Sequence, residues 1–439
     1  MNKTPQNSVN DRQPNDWRHD ANHSSQISAG HDNSLQTRSS SAFVTQRLKS
    51  LDAYRGLIMI TLAFGGFGLG RMAALQLEGN LNSGFWKAVQ YQCEHAQWTG
   101  CRCWDMIQPS FMFMVGVSMA YSYAKRRKMG HSYGRMLGHA GWRSIVLIFL
   151  GVFLTSNGQR SVSWFFTNVL AQIGLGYFFL FLLWRRSFRT QLITAGLLLV
   201  VTWLLYIGYP GAGIDIETGA PDVGVSAAWA QEHLQNVGKA WHKNANVGHA
   251  IDLWLLNRFP REEPFVFSSG GYPTINFVPS IVTMLFGLMC GELLRLGYSG
   301  RKKFMILVLA GICGLVVGQL LHQTGICPIV KRIWTPSWAI FSAGWCCLIL
   351  ASLYGIIDVL QFHRWTFPLV VVGLNSIAMY CMSHQLKPWV GRTLKMYLGQ
   401  EVFQFLGSGY EPMLQSIMIG LVFWLICYWM YRRKIFIRV

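Results

Sequence analysis

Charged residues are scarce in this sequence of 439 residues, and acidic residues are scarcer than basic ones. Asp, Glu, Lys and Arg together make up 13% of the chain, whereas an ordinary soluble domain contains about 25%. Only 19 residues are acidic against 38 Lys and Arg, and 51% of the chain is hydrophobic. This composition excludes a typical soluble domain and indicates a protein that is embedded in a membrane.

Long apolar runs, each close to the roughly 20 residues that cross a bilayer, recur along the whole chain. We expect about ten such spans, near residues 57–77, 106–124, 142–157, 165–184, 190–208, 277–296, 304–322, 338–358, 366–386 and 413–431. The expected fold class is therefore an all-α polytopic integral membrane protein, a bundle of about ten transmembrane helices. One connection, at residues 209–276, is much longer than the others, and we expect it to form a long exported loop.

The basic residues lie in short segments between the apolar runs. If the N-terminus is cytoplasmic, the basic segments at 125–128, 185–189, 301–303 and 432–438 all fall on the cytoplasmic side. Most of the acidic residues then fall on the other side, many of them in the long loop. This is the positive-inside pattern, and it predicts that both termini are cytoplasmic. The net charge of +19 therefore reflects topology, and we expect no nucleic-acid partner.

The first 45 residues differ from the rest of the chain. Residues 1–45 are rich in Ser, Asn, Gln and Asp and contain almost no apolar residues, which predicts a disordered cytoplasmic tail. No apolar run lies near the N-terminus, so we expect no cleavable signal peptide. Residues 46–439 are expected to form one membrane domain that includes the exported loop at 209–276.

Conventional metal-binding motifs are absent from the sequence. Among the ten cysteines, Cys93, Cys101, Cys103 and Cys327 fall on or near the predicted exported face. A Cys-x-Cys motif close to His95 is compatible with zinc, but no second conventional pair accompanies it, so we expect no metal. A disulfide within this group of four is an open alternative.

Residues 91–123 contain the strongest candidate for chemistry. His95 stands just before an apolar helix that opens with Asp105, Gln108 and Pro109. An imidazole exchanges a proton near neutral pH, and a carboxylate bound to one ring nitrogen would leave the other free to act as a base. The alternative is a hydrated loop histidine without a chemical role.

The start of the first apolar helix carries a second candidate. Asp52 and Arg55 are three residues apart and therefore share a helix face. Charged groups at the edge of lipid are costly unless they are paired or used. Arg55 could hold a phosphate group through a bidentate contact, with Lys49 or Arg143 contributing. The alternative is a helix start that is capped by its own residues, Ser50 or Asp52, with Arg55 as an anchor.

Two further segments place polar side chains beside or within apolar helices. Asn375 and His384 lie in the apolar run at 366–386, where polar groups usually face the bundle interior. Lys331 and Trp334 precede the run at 338–358. A packing role for Asn375, and an anchoring role for Lys331 at the membrane surface, are the alternatives to ligand binding.

Several short motifs occur in order along the chain. They are S-L-D-x-x-R-G (50–56), H-A-x-W-x-G (95–100), D-x-x-x-P-x-F-x-F-x-x-G-V-S (105–118), N-V-L-x-x-I-G-L-G-Y (168–177), W-T-P-S-W (334–338) and N-S-I (375–377). Together they resemble the heparan-α-glucosaminide N-acetyltransferase family of transmembrane acetyltransferases and their bacterial relatives. The resemblance covers roughly residues 47–430, and the bacterial relatives imply that the membrane is the bacterial cytoplasmic membrane.

The resemblance implies a bundle of about ten or eleven helices that takes acetyl-CoA from the cytoplasm and acetylates an amino sugar on the other side. The active histidine of the family lies in the H-A-x-W-x-G motif, which is His95 here. An Asn in the first helix takes part in catalysis in the lysosomal enzyme, and the corresponding stretch here is Ala63-Phe-Gly-Gly-Phe.

The expected function is therefore transfer of an acetyl group from cytoplasmic acetyl-CoA to an amino group or hydroxyl of an extracytoplasmic sugar or glycan. His95 would act either as general base or as the carrier of the acetyl group. Further expected partners are membrane lipid and a second copy of the chain, as a homodimer. The expected site residues are His95 and Asp105 for catalysis, Asp52, Arg55, Lys49 and Arg143 for acetyl-CoA, and Trp98, Asn375, His384, Lys331 and Trp334 for the acceptor. The alternative is a non-enzymatic transporter or a lipid- or glycan-binding membrane protein on the same scaffold.

Overall fold

The computed structural model describes residues 48–79, 81–211 and 213–437. The predicted tail at 1–45 lies outside the described residues. The helices are α1 Lys49–Ala63, α2 Leu69–Gly79, α3 Gly84–Cys93, α4 Ile107–Lys128, α5 Tyr133–Thr155, α6 Val169–Leu183, α7 Phe188–Ile207, α8 Ala227–His233, α9 Val247–Leu256, α10 Phe277–Arg295, α11 Gly300–Gln323, α12 Pro336–Tyr354, α13 Phe367–Gly373, α14 Ser376–Gln385, α15 Lys387–Leu398 and α16 Glu411–Arg432. Across these described ranges, β pairing is confined to three isolated bridges, which confirms the all-helical class.

The chain is an integral membrane protein, but the predicted number of about ten spans is not confirmed. Helices occupy all ten predicted segments, yet within the described ranges six are long and apolar enough to cross a bilayer, or eight if each of two bent pairs is one span. The two exceptions have local causes. α6 has only 15 residues, fewer than the roughly 20 that a span needs. α4 is long enough, but Gln, Ser and Tyr residues interrupt its apolar residues before it ends in the four basic residues 125–128.

The first bent pair consists of α1 and α2, which meet at an angle of 49°. Gly65, Gly66 and Gly68 adopt φ angles of +57°, +60° and +70°, and Phe67 between them adopts +57°. Glycine enters this left-handed region without steric penalty, so the Phe-Gly-Gly-Phe-Gly sequence ends one helix and starts another. These three glycines therefore divide the apolar segment into two helices, α1 and α2.

The second bent pair consists of α13 and α14, which meet at 67°. It packs against α1 through two glycines. A Cβ atom on Gly56 would collide with the backbone oxygen of Leu369, and one on Gly373 would collide with the backbone oxygen of Asp52. The two broken helices therefore lie backbone to backbone, with no space for a side chain between them.

The start of α1 is capped from elsewhere in the chain. The backbone N–H groups of Lys49 and Ser50 both donate to the carboxylate of Asp358, at 3.2 Å each. The N-cap position is Leu48, which makes no side-chain cap hydrogen bond within the described residues. Ser50 and Asp52 lie inside the helix, so their predicted role as N-caps is wrong. Asp358 follows α12, and it satisfies two of the unpaired N–H groups that every helix start presents.

The segment at 209–276 folds over the end of the bundle that carries His95. It contains α8 and α9 and encloses a hydrophobic cluster of its own, which includes Trp241 and Val225. Trp98 and Val330 belong to the same cluster. The segment therefore holds the loop of His95 and the turn before α12 in place, and this arrangement positions the candidate site.

Candidate functional site

His95 and Asp105 are in direct contact. His95 follows α3, and Asp105 lies in the short 3-10 helix Cys103–Met106 that leads into α4. The Nδ1 atom of His95 lies 2.7 Å from Oδ1 of Asp105. The side chain of Asp105 is 1% exposed, whereas that of His95 is 41% exposed. Within the described residues, every hydrogen bond of the imidazole involves Nδ1, so the Nε2 edge is left available to a ligand.

Lys331 completes this cluster. Its Nζ atom lies 3.0 Å from Nδ1 of His95 and 3.2 Å from Oδ1 of Asp105. Nδ1 cannot donate to the carboxylate and accept from the ammonium at the same time, so the tautomer has to be assigned from the contacts. We assign the proton to Nδ1 because the carboxylate contact is the shorter one. Nε2 then carries the lone pair and can accept a proton or attack a carbonyl.

The carboxylate of Asp105 also closes the loop that carries His95. Its second oxygen, Oδ2, accepts hydrogen bonds from the backbone N–H groups of Ala96 and Arg102, each at 3.1 Å. Both oxygens of Asp105 are thus used, one by backbone donors and one by the side chains of His95 and Lys331. The acid therefore holds the imidazole at a fixed position and in a fixed tautomer.

Contacts between distant parts of the chain place Lys331 at the site. The N–H of Gly100 donates to the carbonyl of Ile329 at 2.8 Å, which joins the loop of His95 to the turn before α12. Nη1 of Arg332 donates to the carbonyl of Gly270 at 2.8 Å, which joins the same turn to the segment at 209–276. Three separate segments therefore converge on one cluster.

Burial and charge act in opposite directions on the two buried ionic groups. Burial raises the pKa of Asp105, but the hydrogen bond from His95 and the charge of Lys331 outweigh it, so the pKa is lowered from its usual value. Burial lowers the pKa of Lys331, and the negative charge of Asp105 opposes this shift. Each charge is tolerated in the protein interior because the other is beside it.

The neighbourhood of the cluster contains an aromatic ring, a thiol and the break between α1 and α2. The ring centroids of His95 and Trp104 are 6.3 Å apart, and Trp104 in turn lies against the backbone of Gly66. Burial raises the pKa of Cys101 to about 12, so this cysteine remains a thiol. All ten cysteines lie in the described ranges and are free, so the structure contains no disulfide among Cys93, Cys101, Cys103 and Cys327.

Trp98 and Trp334, both predicted to bind the acceptor, are packed into the protein. Each is 1% exposed. The indole N–H of Trp98 donates to the carbonyl of Trp241 at 3.0 Å, and that of Trp334 donates to the hydroxyl of Thr283 at 3.2 Å. Both indoles belong to hydrophobic clusters of the protein interior, and contact with an acceptor stays a prediction.

Asn375 and His384 lie apart from the histidine cluster in their described contacts. The amide of Asn375 donates to the carbonyl of Ile435 at 3.1 Å and accepts from the N–H of Ile437 at 3.0 Å, so it binds the C-terminal segment. His384 stacks on Tyr380 with the ring centroids 4.2 Å apart. The polar groups that the described residues bring to His95 are thus Asp105, expected to act with it in catalysis, and Lys331, expected to bind the acceptor.

The residues predicted to bind acetyl-CoA form a second group near the start of α1. Nη1 of Arg55 lies 3.7 Å from Asp52, and Nη2 lies 3.5 Å from the hydroxyl of Ser376, at the break between α13 and α14. Lys49 stands at the helix start beside Asp358. Arg143 is engaged by Tyr177, to whose hydroxyl it donates at 3.1 Å and over whose ring it lies.

One neighbour of the site was not predicted from the sequence. The ammonium of Lys387 lies against Gly65, at the break between α1 and α2. Burial lowers the pKa of Lys387, and the charge of Arg71 lowers it further. In the sequence, Lys387 is followed by a proline directly after an apolar helix. This Lys-Pro pair predicts the start of a new helix, but it does not predict that the lysine lies against the end of α1.

Comparison with known proteins bears on the chain as a whole. It is 24% identical to the human protein named heparan-alpha-glucosaminide N-acetyltransferase over 424 residues, which is 90% of this chain and 60% of that protein. The mouse protein of the same name is 24% identical over 438 residues, covering 92% of this chain and 62% of that protein. The chain is a distant relative of the heparan-alpha-glucosaminide N-acetyltransferase family. The resemblance that was expected from the motifs is thereby confirmed.

The relationship is distant and does not extend over the whole length of those relatives. No family model matches the chain. The chain spans about 60% of the length of the heparan-alpha-glucosaminide N-acetyltransferases that it matches. The matched part nevertheless covers nine-tenths of this chain, so the histidine cluster and both bent helix pairs belong to one related membrane domain.

Proposed function

We propose that the protein is a transmembrane acetyltransferase that moves an acetyl group from acetyl-CoA to an amino group or hydroxyl of an extracytoplasmic sugar or glycan. Both termini are cytoplasmic in this proposal, and the membrane is the bacterial cytoplasmic membrane. The observation that carries the proposal is the contact of 2.7 Å between the half-exposed His95 and the buried Asp105. The relatives, which are named as N-acetyltransferases, support the reaction type.

The chemistry follows from the tautomer assigned to His95. In direct transfer, the acceptor nitrogen or oxygen attacks the thioester carbonyl, the C–S bond breaks, and Nε2 of His95 takes the proton that the acceptor loses. In the covalent route, Nε2 itself attacks the thioester carbonyl, the C–S bond breaks and coenzyme A leaves as the thiolate. The acceptor then attacks the acetyl-imidazole, the bond between the acetyl carbon and Nε2 breaks, and the proton that the acceptor loses goes to the released imidazole. In both routes Asp105 holds the ring and stabilises the positive charge that develops on it.

We place the donor along α1. Arg55 is one of the residues that would hold its phosphate groups, and the histidine cluster lies at the far side of the break between α1 and α2. From Arg55 to Ala63, the last residue of α1, is eight residues, or about 12 Å at 1.5 Å per helical residue, and the glycine break follows directly. An extended thioester donor that begins at Arg55 would therefore point its acyl end toward Trp104 and His95. The two groups of predicted site residues then act at the two ends of one ligand.

The test is acetyl transfer by the purified protein in lipid vesicles, with radiolabelled acetyl-CoA and glucosamine as acceptor. We expect transfer by the wild-type protein and a loss of at least about 100-fold in His95→Ala, because general-base catalysis contributes about 10²–10⁴-fold. His131→Ala is the matched control, since His131 lies between α4 and α5 at the other end of the bundle. No transfer by a folded wild-type protein to any amino sugar would favour a transporter or a binding protein instead.

A single-turnover version of this assay separates the two routes. Without acceptor, labelled acetyl retained on the wild-type protein and absent from His95→Ala supports the covalent route. Catalysis by wild-type protein without retained label supports direct transfer with His95 as the base. Equal retention by wild type and His95→Ala would remove His95 from the covalent route.

A further inference from the structure

A cavity of about 1420 Å³ lies away from the histidine cluster, between α7, α10, α11 and α12. This volume exceeds the roughly 300–1,000 Å³ of most small-molecule pockets. Two of its walls, α7 and α11, are helices at the periphery, and their outer faces expose large apolar side chains such as Leu197 and Leu309. The cavity is thus a groove in the side of the bundle that faces the lipid.

Charged and apolar residues line different parts of this groove. All of the charged lining residues lie at one end, where α4 and α10 finish and α7 begins; they are Arg127, Lys128, Arg185, Glu292 and Arg295. The rest of the lining is apolar, small or cysteine along its whole length. Glu292 accepts a hydrogen bond from Gln191 at 3.1 Å, so the rim offers four cationic groups and one carboxylate that already has a partner.

The depth of the groove corresponds to one leaflet of a bilayer. It follows α7 from Phe188 to Leu199 and α11 from Ile306 to Val317. Eleven helical steps of 1.5 Å cover about 17 Å, roughly half of the 30 Å hydrocarbon core. The basic rim therefore stands at the depth of lipid headgroups, and the apolar part stands at the depth of acyl chains.

We propose that this groove binds an anionic phospholipid of the leaflet on the side where α1 begins. Its phosphate lies at the basic rim, where Arg and Lys provide charge-assisted contacts, and one acyl chain occupies the apolar length. A nucleotide such as coenzyme A shares the phosphate chemistry, but below the rim the described lining residues are apolar side chains, glycines and cysteines, which are poorly suited to bind a base or an amide. This lipid site is independent of the proposed acetyl transfer.

The headgroup is tested by native mass spectrometry of protein released from nanodiscs that contain phosphatidylglycerol and phosphatidylcholine in equal amounts. We expect the wild-type protein to retain phosphatidylglycerol preferentially. The double variant Arg127→Glu, Lys128→Glu should lower that preference by about thirtyfold, at roughly 1 kcal/mol for each basic residue removed. The control is Arg432→Glu, Arg433→Glu, two exposed basic residues at the end of α16. Equal retention of both lipids by the wild type would overturn the proposal.

The acyl chain is tested by filling the groove. Gly196 lines it, and a Cβ atom there would meet no other atom within 4 Å, so Gly196→Trp can project into the groove without moving the backbone. Gly138 in α5 has the same open surroundings and lies outside the lining, which makes Gly138→Trp the matched control. We expect Gly196→Trp to lose the bound lipid and Gly138→Trp to keep it.

Three outcomes would overturn the proposal. One is undiminished lipid retention in Gly196→Trp. Another is displacement of the lipid by coenzyme A at concentrations that saturate the protein, which would make the groove a nucleotide site. The third is a wild-type dimer that carries no lipid and becomes a monomer in Gly196→Trp, which would make the groove an interface between two copies of the chain. None of these readouts uses enzyme activity, so failure here leaves the proposed acetyl transfer untested; displacement by coenzyme A would in addition contradict the placement of the donor at Arg55.

Discussion

Asp105 and Lys331 form a buried ion pair at 3.2 Å although they are 226 residues apart in the chain. The same carboxylate oxygen of Asp105 also contacts His95, so this one atom links the imidazole of His95 to the ammonium of Lys331. A buried charge without its partner is strongly destabilising. The ion pair therefore fixes the position of the turn before α12 relative to the loop of His95.

The first prediction concerns the tautomer of His95. Asp105→Asn preserves the size of the side chain and one oxygen for the backbone donors, but it replaces the carboxylate that holds Nδ1–H. We expect the rate of acetyl transfer to fall by about 10²–10⁴-fold, measured on the monodisperse fraction of the variant. Glu94→Gln, in which the neighbouring and more exposed carboxylate is removed, is the control and should transfer acetyl at close to the wild-type rate. A fully active Asp105→Asn protein would show that this acid has a structural role alone.

The second prediction concerns the ion pair itself. Lys331→Met should lower the free energy of unfolding by about 3–5 kcal/mol, because it leaves the Asp105 carboxylate buried without its cation. The double variant Lys331→Met, Asp105→Asn should recover most of that loss, since no unpaired charge remains. Denaturant titration in mixed micelles measures all four members of the cycle. Losses that simply add in the double variant would show that the two charges do not interact.

The third prediction concerns the donor. Arg55→Ala should weaken acetyl-CoA binding by about 1.5–3 kcal/mol, the contribution of one charge-assisted hydrogen bond. Arg143→Ala is an informative comparison, because Arg143 is already engaged by Tyr177 and its loss should cost stability more than affinity. Binding is measured by isothermal titration of the purified protein. Unchanged affinity in Arg55→Ala would leave Arg55 as a packing partner of Asp52 and Ser376.

The fourth prediction concerns pH. Burial raises the pKa of Asp252 in α9 from 3.8 to about 6, against the opposing hydrogen bonds from Thr274. The folded state therefore holds this proton more tightly than the unfolded state, and the contribution of Asp252 to stability falls as pH rises from about 4 to 6 and then stays level. At 1.36 kcal/mol per pH unit, the fall is at most about 3 kcal/mol.

Asp252→Asn tests this assignment, because an amide does not titrate. Stability curves of the wild type and the variant, measured from pH 4 to 7, should diverge below about pH 6. The wild type should gain stability toward low pH relative to the variant, by up to about 3 kcal/mol. Parallel curves would show that Asp252 titrates with the same pKa in the folded and unfolded states.

The fifth prediction concerns sidedness. A reporter fused after Lys128 should be cytoplasmic, and one inserted between residues 220 and 250 should be exported, because the basic segments follow the positive-inside pattern. Alkaline phosphatase and green fluorescent protein fusions at the two positions provide complementary readouts. The reverse result would place His95 on the same side as the cytoplasmic donor and would contradict acetyl transfer across the membrane.

Part of the site could be predicted because its signal is local. His95 and Asp105 are ten residues apart, in a polar segment directly before an apolar helix, and polar groups at such a boundary need partners nearby. Lys331 was identified as an unusual residue but was assigned to the acceptor. Its actual partner lies in another part of the chain, and nothing in the sequence pairs one buried charge with another across more than 200 residues.

By itself, the sequence determined that the chain is an all-helical membrane protein and where each apolar helix lies, because hydropathy and helix length are properties of consecutive residues. The tertiary structure alone decided that α13 and α14 bend at Asn375, which distant carboxylate caps α1, and that Trp98 and Trp334 are buried. It also decided that Lys331 meets Asp105. These features depend on which segments pack together, and that choice is made by the burial of charges and surfaces that are remote in sequence.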